Sequence, residues 1–398
     1  MAATDIKSVL ELLRAKVHSA DSSTSLDELN NMVKAAQLAH TPMIRHYDSD
    51  GSLPTATTTE QKLAFITSTG SIKMNNGRRW ESTTAEAYVP PVVYSFQGSS
   101  YGYAMGGDNG TPGNSYINTI QKYSFTADGN STDVADLERS SLGGAGTASS
   151  THGYQGGGIW PTSYGGTGYQ NNISKFPFAS DDDATDVGDL TETKRHLASA
   201  SSETHGYHSG GQPPGNSDVI ERYSFTVDGN STDVGDLLAG LYGGGGNTSS
   251  THGYHSGGSA GPAGHPYRDR IQKYAFASSS NATSVGDLVD DTFQTYMASS
   301  GASSTTDGYQ WGDTKTYYHK FPFATDTNST NVANLNADAV EVQQASGSSS
   351  TTHGYAHGGY PSADNGTRIS KFPYAVEEQG TDVGDLAVST YGPGGTQV

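Results

Sequence analysis

Three short phrases recur in fixed order along this chain, and such a recurrence constrains the fold more tightly than any local propensity. The first is Gly-Tyr, at Tyr103, Tyr154, Tyr207, Tyr254, Tyr309 and Tyr355. The second sets aromatics beside a cation, as in Lys122-Tyr123-Ser124-Phe125 and Lys320-Phe321-Pro322-Phe323. The third is Thr-Asp-Val-Gly-Asp-Leu, clearest at Thr185–Leu190, Thr232–Leu237 and Thr381–Leu386. The tyrosines are 51, 53, 47, 55 and 46 residues apart. The variation in length falls mainly between the first and second phrases and after the third. Folded repeats behave this way, because surface connections tolerate changes in length and strands do not.

Each unit reads as four strands: a Ser/Gly-rich stretch such as Leu241–Ser250, the Gly-Tyr segment, the aromatic phrase and the Asp-Val-Gly-Asp phrase. In the aromatic phrase the rings alternate with Lys and Ser, the period of a strand. Tyr223 and Phe225 are expected to face one neighbouring sheet, with Ile220 and Arg222 facing the other way. Pro177, Pro322 and Pro373 lie in that strand and must occupy a place outside the ladder, because proline has no N–H to donate. Asp128–Asn130 and Asp228–Asn230 read as hairpin turns. The expected class is all-β, a six-bladed β-propeller over residues 91–398. Val92–Ser99 and Leu386–Val398 look like the two halves of one shared blade. A linear β-solenoid is the rival arrangement.

The double glycines after the tyrosine strand, Gly257-Gly258 and Gly358-Gly359, together with the period, resemble the kelch family of propellers. The kelch tryptophan is absent, and the aromatics of the second phrase stand in its place.

Ahead of the repeats, Ile6, Val9, Leu10, Leu13 and Val17 form one apolar stripe, and Leu26, Leu29, Met32, Val33 and Ala36 form a second. These predict an N-terminal α-helical hairpin, residues 1–40, acting as an anchor. Residues 41–60 read as a linker. Residues 61–90 read as a small β-hairpin module, with strands at Leu63–Ile66 and Ile72–Met74 followed by Asn-Gly and Trp80. The hairpin module, the opening helices and the Tyr-Ser-Phe repeats together resemble tailed-phage fibre and baseplate proteins, especially those of marine cyanophages. That resemblance implies a virion protein, made in the host cytoplasm and carried on an extracellular particle. It would act as a tail-fibre adhesin or, alternatively, as an architectural capsid or neck decoration.

The chemistry of the chain narrows its role. It carries no cysteine, which excludes disulfides, cysteine–zinc sites and thiol catalysis. No apolar run approaches the ~20 residues of a membrane span, and the first residues lack a signal-peptide pattern. The net charge of −19 lies almost wholly in the repeats, so nucleic acid is an unsuitable partner. If the Gly-Tyr strand lines the axis, His152, His205, His252 and His353 would ring the channel, too far apart for zinc. The Asp-Gly-Asn-Ser-Thr-Asp runs lack the spacing of a calcium loop. Lys175 with Asp189, Arg222 with Asp236 and Lys273 with Asp287 are expected to pair across strands. No catalytic motif appears, and the reading is non-enzymatic, with no cofactor or metal. The expected contact surface is the set of variable loops 108–118, 158–172, 211–218, 259–270 and 360–367. Within them Trp160, Tyr164, Tyr169 and Tyr267 suit stacking on host glycans. Other virion proteins would be met through the N-terminal region, and a homo-oligomer is compatible with it.

Overall fold

The computed structural model describes residues 44–47, 63–66, 71–75, 80–82, 95–110, 115–161, 167–213, 215–260, 269–289, 300–312, 316–336, 343–359 and 366–398. The chain divides into two compact units, Met1–Val92 and Val93–Val398. The stretches expected to form N-terminal helices lie outside the described residues. In the first unit Ile44–Tyr47, Leu63–Ile66, Ser71–Asn75 and Trp80–Ser82 form a four-stranded sheet in sequence order. Its first strand falls within the stretch read from the sequence as a linker.

The second unit is a six-bladed β-propeller, each blade a four-stranded sheet. Blade 3 shows the pattern: Ala198–Ser201 is innermost, then His205–Ser209, Val219–Ser224 and, outermost, Thr232–Asp236. The innermost strands of blades 2 and 4–6 are Ala145–Ala148, Gly245–Thr248, Ser300–Ser303 and Ser346–Ser349. Blade 1 is completed by the end of the chain: Gly394–Gln397 pairs with Tyr101–Asp108. The ring is therefore closed, and a linear stack is ruled out. The expected strand at Val92–Ser99 does not form among the described residues 95–99. Instead, Gly98 makes a single bridge to Ser350, and the Gln97 amide donates to the carbonyls of Ser303 and Ser350 at 3.1 and 2.9 Å.

The tyrosine of each Gly-Tyr pair explains how the blades adhere. It lies against the second aromatic of the next blade's third strand, in the order Tyr103–Phe178, Tyr154–Phe225, Tyr207–Phe276, Tyr254–Phe323, Tyr309–Tyr374 and Tyr355–Phe125. Centroid distances run from 4.6 to 5.2 Å, and the last pair returns to blade 1. Ring pairs of this kind add roughly 0.5–1.5 kcal/mol each beyond area burial. Tyr223 and Phe225 thus face blade 2, as expected. Ile220 packs the other way with Ala200, Tyr207 and Tyr274. The preceding glycine is required by the same packing: a Cβ on Gly354 would lie 2.2 Å from the Phe372 ring of its own blade.

The Asp-Gly-Asn turns, and Asp326-Thr327-Asn328 at the same place in blade 5, latch neighbouring blades together. Lys175 pairs with Asp228 and Lys273 with Asp326, both at 2.7 Å, and Lys371 pairs with Asp128 at 2.5 Å. The partner is thus the turn of the next blade, and the expected pairings of Lys175 with Asp189 and Lys273 with Asp287 do not form. At the position facing Arg222 the next blade carries Ser279, and Arg222 makes no ion pair among the described residues. Asn230 Oδ1 accepts the Asp189 N–H at 3.0 Å, and Asn130 Oδ1 accepts that of Asp385 at 3.0 Å. A Cβ on Gly188 would lie 2.4 Å from the Gly229 carbonyl, which accounts for glycine in the third phrase. Pro177, Pro322 and Pro373 end their strands, each paired only inward, opposite His152, Asp307 and His353.

Candidate functional site

The two faces of the ring differ. The lower face carries the connections from first to second strand and from third to fourth, including the Asp-Gly-Asn latches. The upper face carries the connections from second to third strand and from each blade to the next. The described parts of all five variable loops emerge there.

The axis itself is nearly filled. The second residue of each inner strand is Gly146, Ser199, Gly246, Gly301, Gly347 or Gly395, and these six border both axial cavities. At the glycines a side chain would clash: a Cβ on Gly246 would lie 2.1 Å from the Ser199 carbonyl, and one on Gly347 would lie 2.2 Å from that of Gly301. Ser199, the one exception, donates its hydroxyl to the Gly146 carbonyl at 2.7 Å. The cavities above and below measure about 70 and 60 Å³, room for a few waters and far too small for a sugar. Phe96 borders the lower one.

The inner strands would otherwise present an unpaired edge to this axis. Neighbouring side chains satisfy it. Ser201 Oγ accepts the Ala148 N–H, Thr248 Oγ1 that of Ser201, Ser303 Oγ that of Thr248 and Ser349 Oγ that of Ser303, at 2.9–3.2 Å. Around the upper mouth the backbones bond one another: His196 N to Gly143 O, Gly243 N to His196 O, Gly143 N to Gly392 O and Gly392 N to Gln344 O, at 2.6–2.9 Å. Every residue in this collar has positive φ, including His196 and Gln344 at 55°.

The histidines before Gly-Tyr do not line the channel, because the Ser/Gly-rich strand, and not the Gly-Tyr strand, is innermost. His152, His205, His252 and His353 sit at the lower face, each bonded through Nδ1 to the preceding threonine at 2.8 Å. A second set is buried between blades. Burial lowers His208 and His255 to about 4, and His196 and His357 to about 3. Beside His208 lies a buried ion pair, Lys194 Nζ to Glu221 Oε1 at 2.6 Å, with both side chains fully covered. Burial pushes the Glu221 carboxyl up, but Lys194 and hydrogen bonds from Ser231 and Thr191 outweigh it and hold the group below the usual carboxylate range. Among the described residues no three His, Asp or Glu side chains converge as a metal site.

The exposed chemistry concentrates on blade 2. Its middle hairpin, His152–Pro161 with Thr167–Pro177, has strands of 10 and 11 residues, against 5 and 6 in blade 3. Trp160 pairs with Gly168 and Tyr169 with Ile159, so the two aromatics stand on opposite faces of the hairpin. A Cβ on Gly168 would lie 1.7 Å from the Trp160 indole nitrogen, so the indole lies across that glycine. The Arg139 guanidinium sits 5.5 Å from the Trp160 ring, and that of Arg195 sits 5.9 Å from Tyr169. Arg195 Nε donates to Gln212 Oε1 at 3.0 Å. Tyr164 and Tyr267 lie outside the described residues. The arginines come from the connections between blades, which vary in sequence and offered no repeat signal to mark them.

The class of protein defined by this architecture is a closed six-bladed β-propeller with one variable face. Compared with known proteins, the chain matches no family model and no curated sequence.

Proposed function

We propose that this chain is a non-enzymatic structural protein of a tailed-phage virion, its kelch-like propeller displayed as a tail-fibre or receptor-binding adhesin. The observation that carries this reading is the division between the faces. The lower face repeats a lysine–carboxylate latch at five of the six junctions between blades, together with Asn–backbone latches. The upper face differs from blade to blade and bears the long hairpin with exposed Trp160. A scaffold with one constant and one variable face suits recognition, where loops can change while packing does not. The filled axis and the equivalence of the repeats favour a surface contact over a catalytic pocket. The phage assignment rests on the motifs of the N-terminal region and the Tyr-Ser-Phe repeats, and that region would contact other virion proteins.

The test is retention of the labelled full-length chain on host cells and on a glycan array, beside a variant in which residues 158–172 are replaced by the shorter equivalent segment 211–219 of blade 3. Loss of retention in a variant with an unchanged unfolding transition supports the adhesin. Firm binding to purified capsid or tail proteins, with none to cells or glycans, replaces it with the architectural decoration. Depolymerisation of a polysaccharide would make the protein an enzyme.

A further inference from the structure

We infer that the ligand taken by the blade 2 hairpin is an anionic polysaccharide, one bearing carboxylate or sulfate groups, held by Arg139 and Arg195. This rests on the glycan-binding reading above and names its chemical class.

The propeller carries far more acid than base, and its described cations are almost all neutralised. Lys122, Lys175, Lys273, Lys320 and Lys371 pair with acids of the next blade's turn. Lys194 is buried against Glu221. Arg270 and Arg368 pair with Asp287 and Asp382. Among the described residues of the propeller only Arg139, Arg195 and Arg222 have no carboxylate partner. Arg222 belongs to the lower face. The other two flank one hairpin on the upper face.

Each of these two is also positioned. Arg139, which is exposed, is drawn to the Trp160 ring, and Arg195 to Tyr169. Arg195 is further fixed through Nε by Gln212, which leaves both Nη groups without a partner among the described residues. A guanidinium held by its Nε and resting on a ring offers the remaining planar pair of N–H groups to an oxyanion, the geometry that carboxylate and sulfate match. The aromatics therefore act differently from what their residue type suggests. Trp160 lies across Gly168 and beside Arg139, so it orients a cation more than it offers a bare stacking platform.

Charge complementarity separates a polyanion from a neutral glycan. A polymer with a regular spacing of anions can engage both flanks of the hairpin, and the acidic remainder of the surface repels it elsewhere. The attraction is exposed and so weakens with salt.

The test measures binding of the full-length chain at about 50 mM and about 300 mM salt to three probes: polygalacturonate, heparin and neutral dextran. The expected result is binding to at least one polyanion, falling with salt, and at least tenfold weaker binding to dextran. Arg139→Gln and Arg195→Gln should each weaken the polyanion several-fold and together abolish it. Arg222→Gln removes the same charge from the other face and should leave binding unchanged. Equal loss in all three variants would mean unspecific attraction and overturn the inference. Equal binding to dextran and the polyanions, unaffected by the variants, would overturn it while leaving the glycan reading standing. No binding to any of the three, together with a negative glycan array, would remove both.

Discussion

At the residue scale, the glycine of each Gly-Tyr pair illustrates how little room the blade interior leaves. The paired strand lays an aromatic across it, and a Cβ on Gly354 would lie 2.2 Å from the Phe372 ring. Gly354→Ala should therefore destabilise the protein by about 1–3 kcal/mol through overpacking, read from the midpoint of urea unfolding. An unchanged midpoint would show that the ring moves aside freely. The buried Lys194–Glu221 pair makes a second case. Removing one partner leaves a charge stranded, at a cost of about 3–5 kcal/mol. Blades 1 and 4 carry Gln121 and Gln272 where blade 3 has Glu221, and Gln272 accepts the Leu238 N–H at 2.7 Å in the same role that Glu221 plays for Thr191. Lys194→Met alone should be strongly destabilising, and Lys194→Met with Glu221→Gln should recover most of the loss. Equal stability of the single and double variants would mean that the pair is not coupled.

At the scale of elements, the last strand decides whether there is a ring at all. Gly394–Gln397 is the innermost strand of blade 1, and its Thr396 hydroxyl donates to the Thr147 carbonyl of blade 2 at 2.9 Å. Truncation after Pro393 should open the seam between blades 6 and 1. The expected fall in Tm is about 10 °C or more, from the loss of several kcal/mol at about 2–4 °C per kcal/mol. A truncated chain that melts at the same temperature would show that closure contributes little. The inter-blade Lys–Asp latches are a contrasting element. Their acids are roughly half exposed, so each is worth about 1 kcal/mol or less. The aromatic pairs, being buried, carry more of the adhesion between blades.

At the scale of the whole molecule, the buried histidines tie stability to pH. His196, His208, His255 and His357 have folded values of about 3 to 4 because burial disfavours the charged ring. In the unfolded chain they return to about 6.5. Between those values the unfolded state binds more protons, so stability present above about pH 6.5 is lost as pH falls. The slope is about 1.4 kcal/mol per pH unit for each histidine that stays neutral in the fold. Unfolding free energies at pH 7.5 and 5.5 should differ by several kcal/mol. His208→Gln with His255→Gln should flatten the profile, since Gln155 and Gln310 occupy the same place in blades 2 and 5. A wild-type profile that is already flat over this range would refute the assignment.

Much of this was legible from one sequence. Repetition of Gly-Tyr, of the aromatic phrase and of Asp-Val-Gly-Asp determined the number of blades and the four strands in each, and the alternation within the aromatic phrase put Tyr223 and Phe225 on one face. A strand's period of two and the size of a ring leave few other solutions. The unpartnered strand at the C-terminus likewise pointed to closure. What only the tertiary structure decided is whatever depends on neighbours about 50 residues away. Lys175 meets Asp228 instead of Asp189, the Ser/Gly-rich strand instead of the histidine-bearing one lines the axis, and Arg139 and Arg195 come to flank a single hairpin. The physical reason is that repeats declare what each unit must share in order to pack, whereas the contacts between units, and the loops that escape the repeat, acquire their partners only when the ring closes.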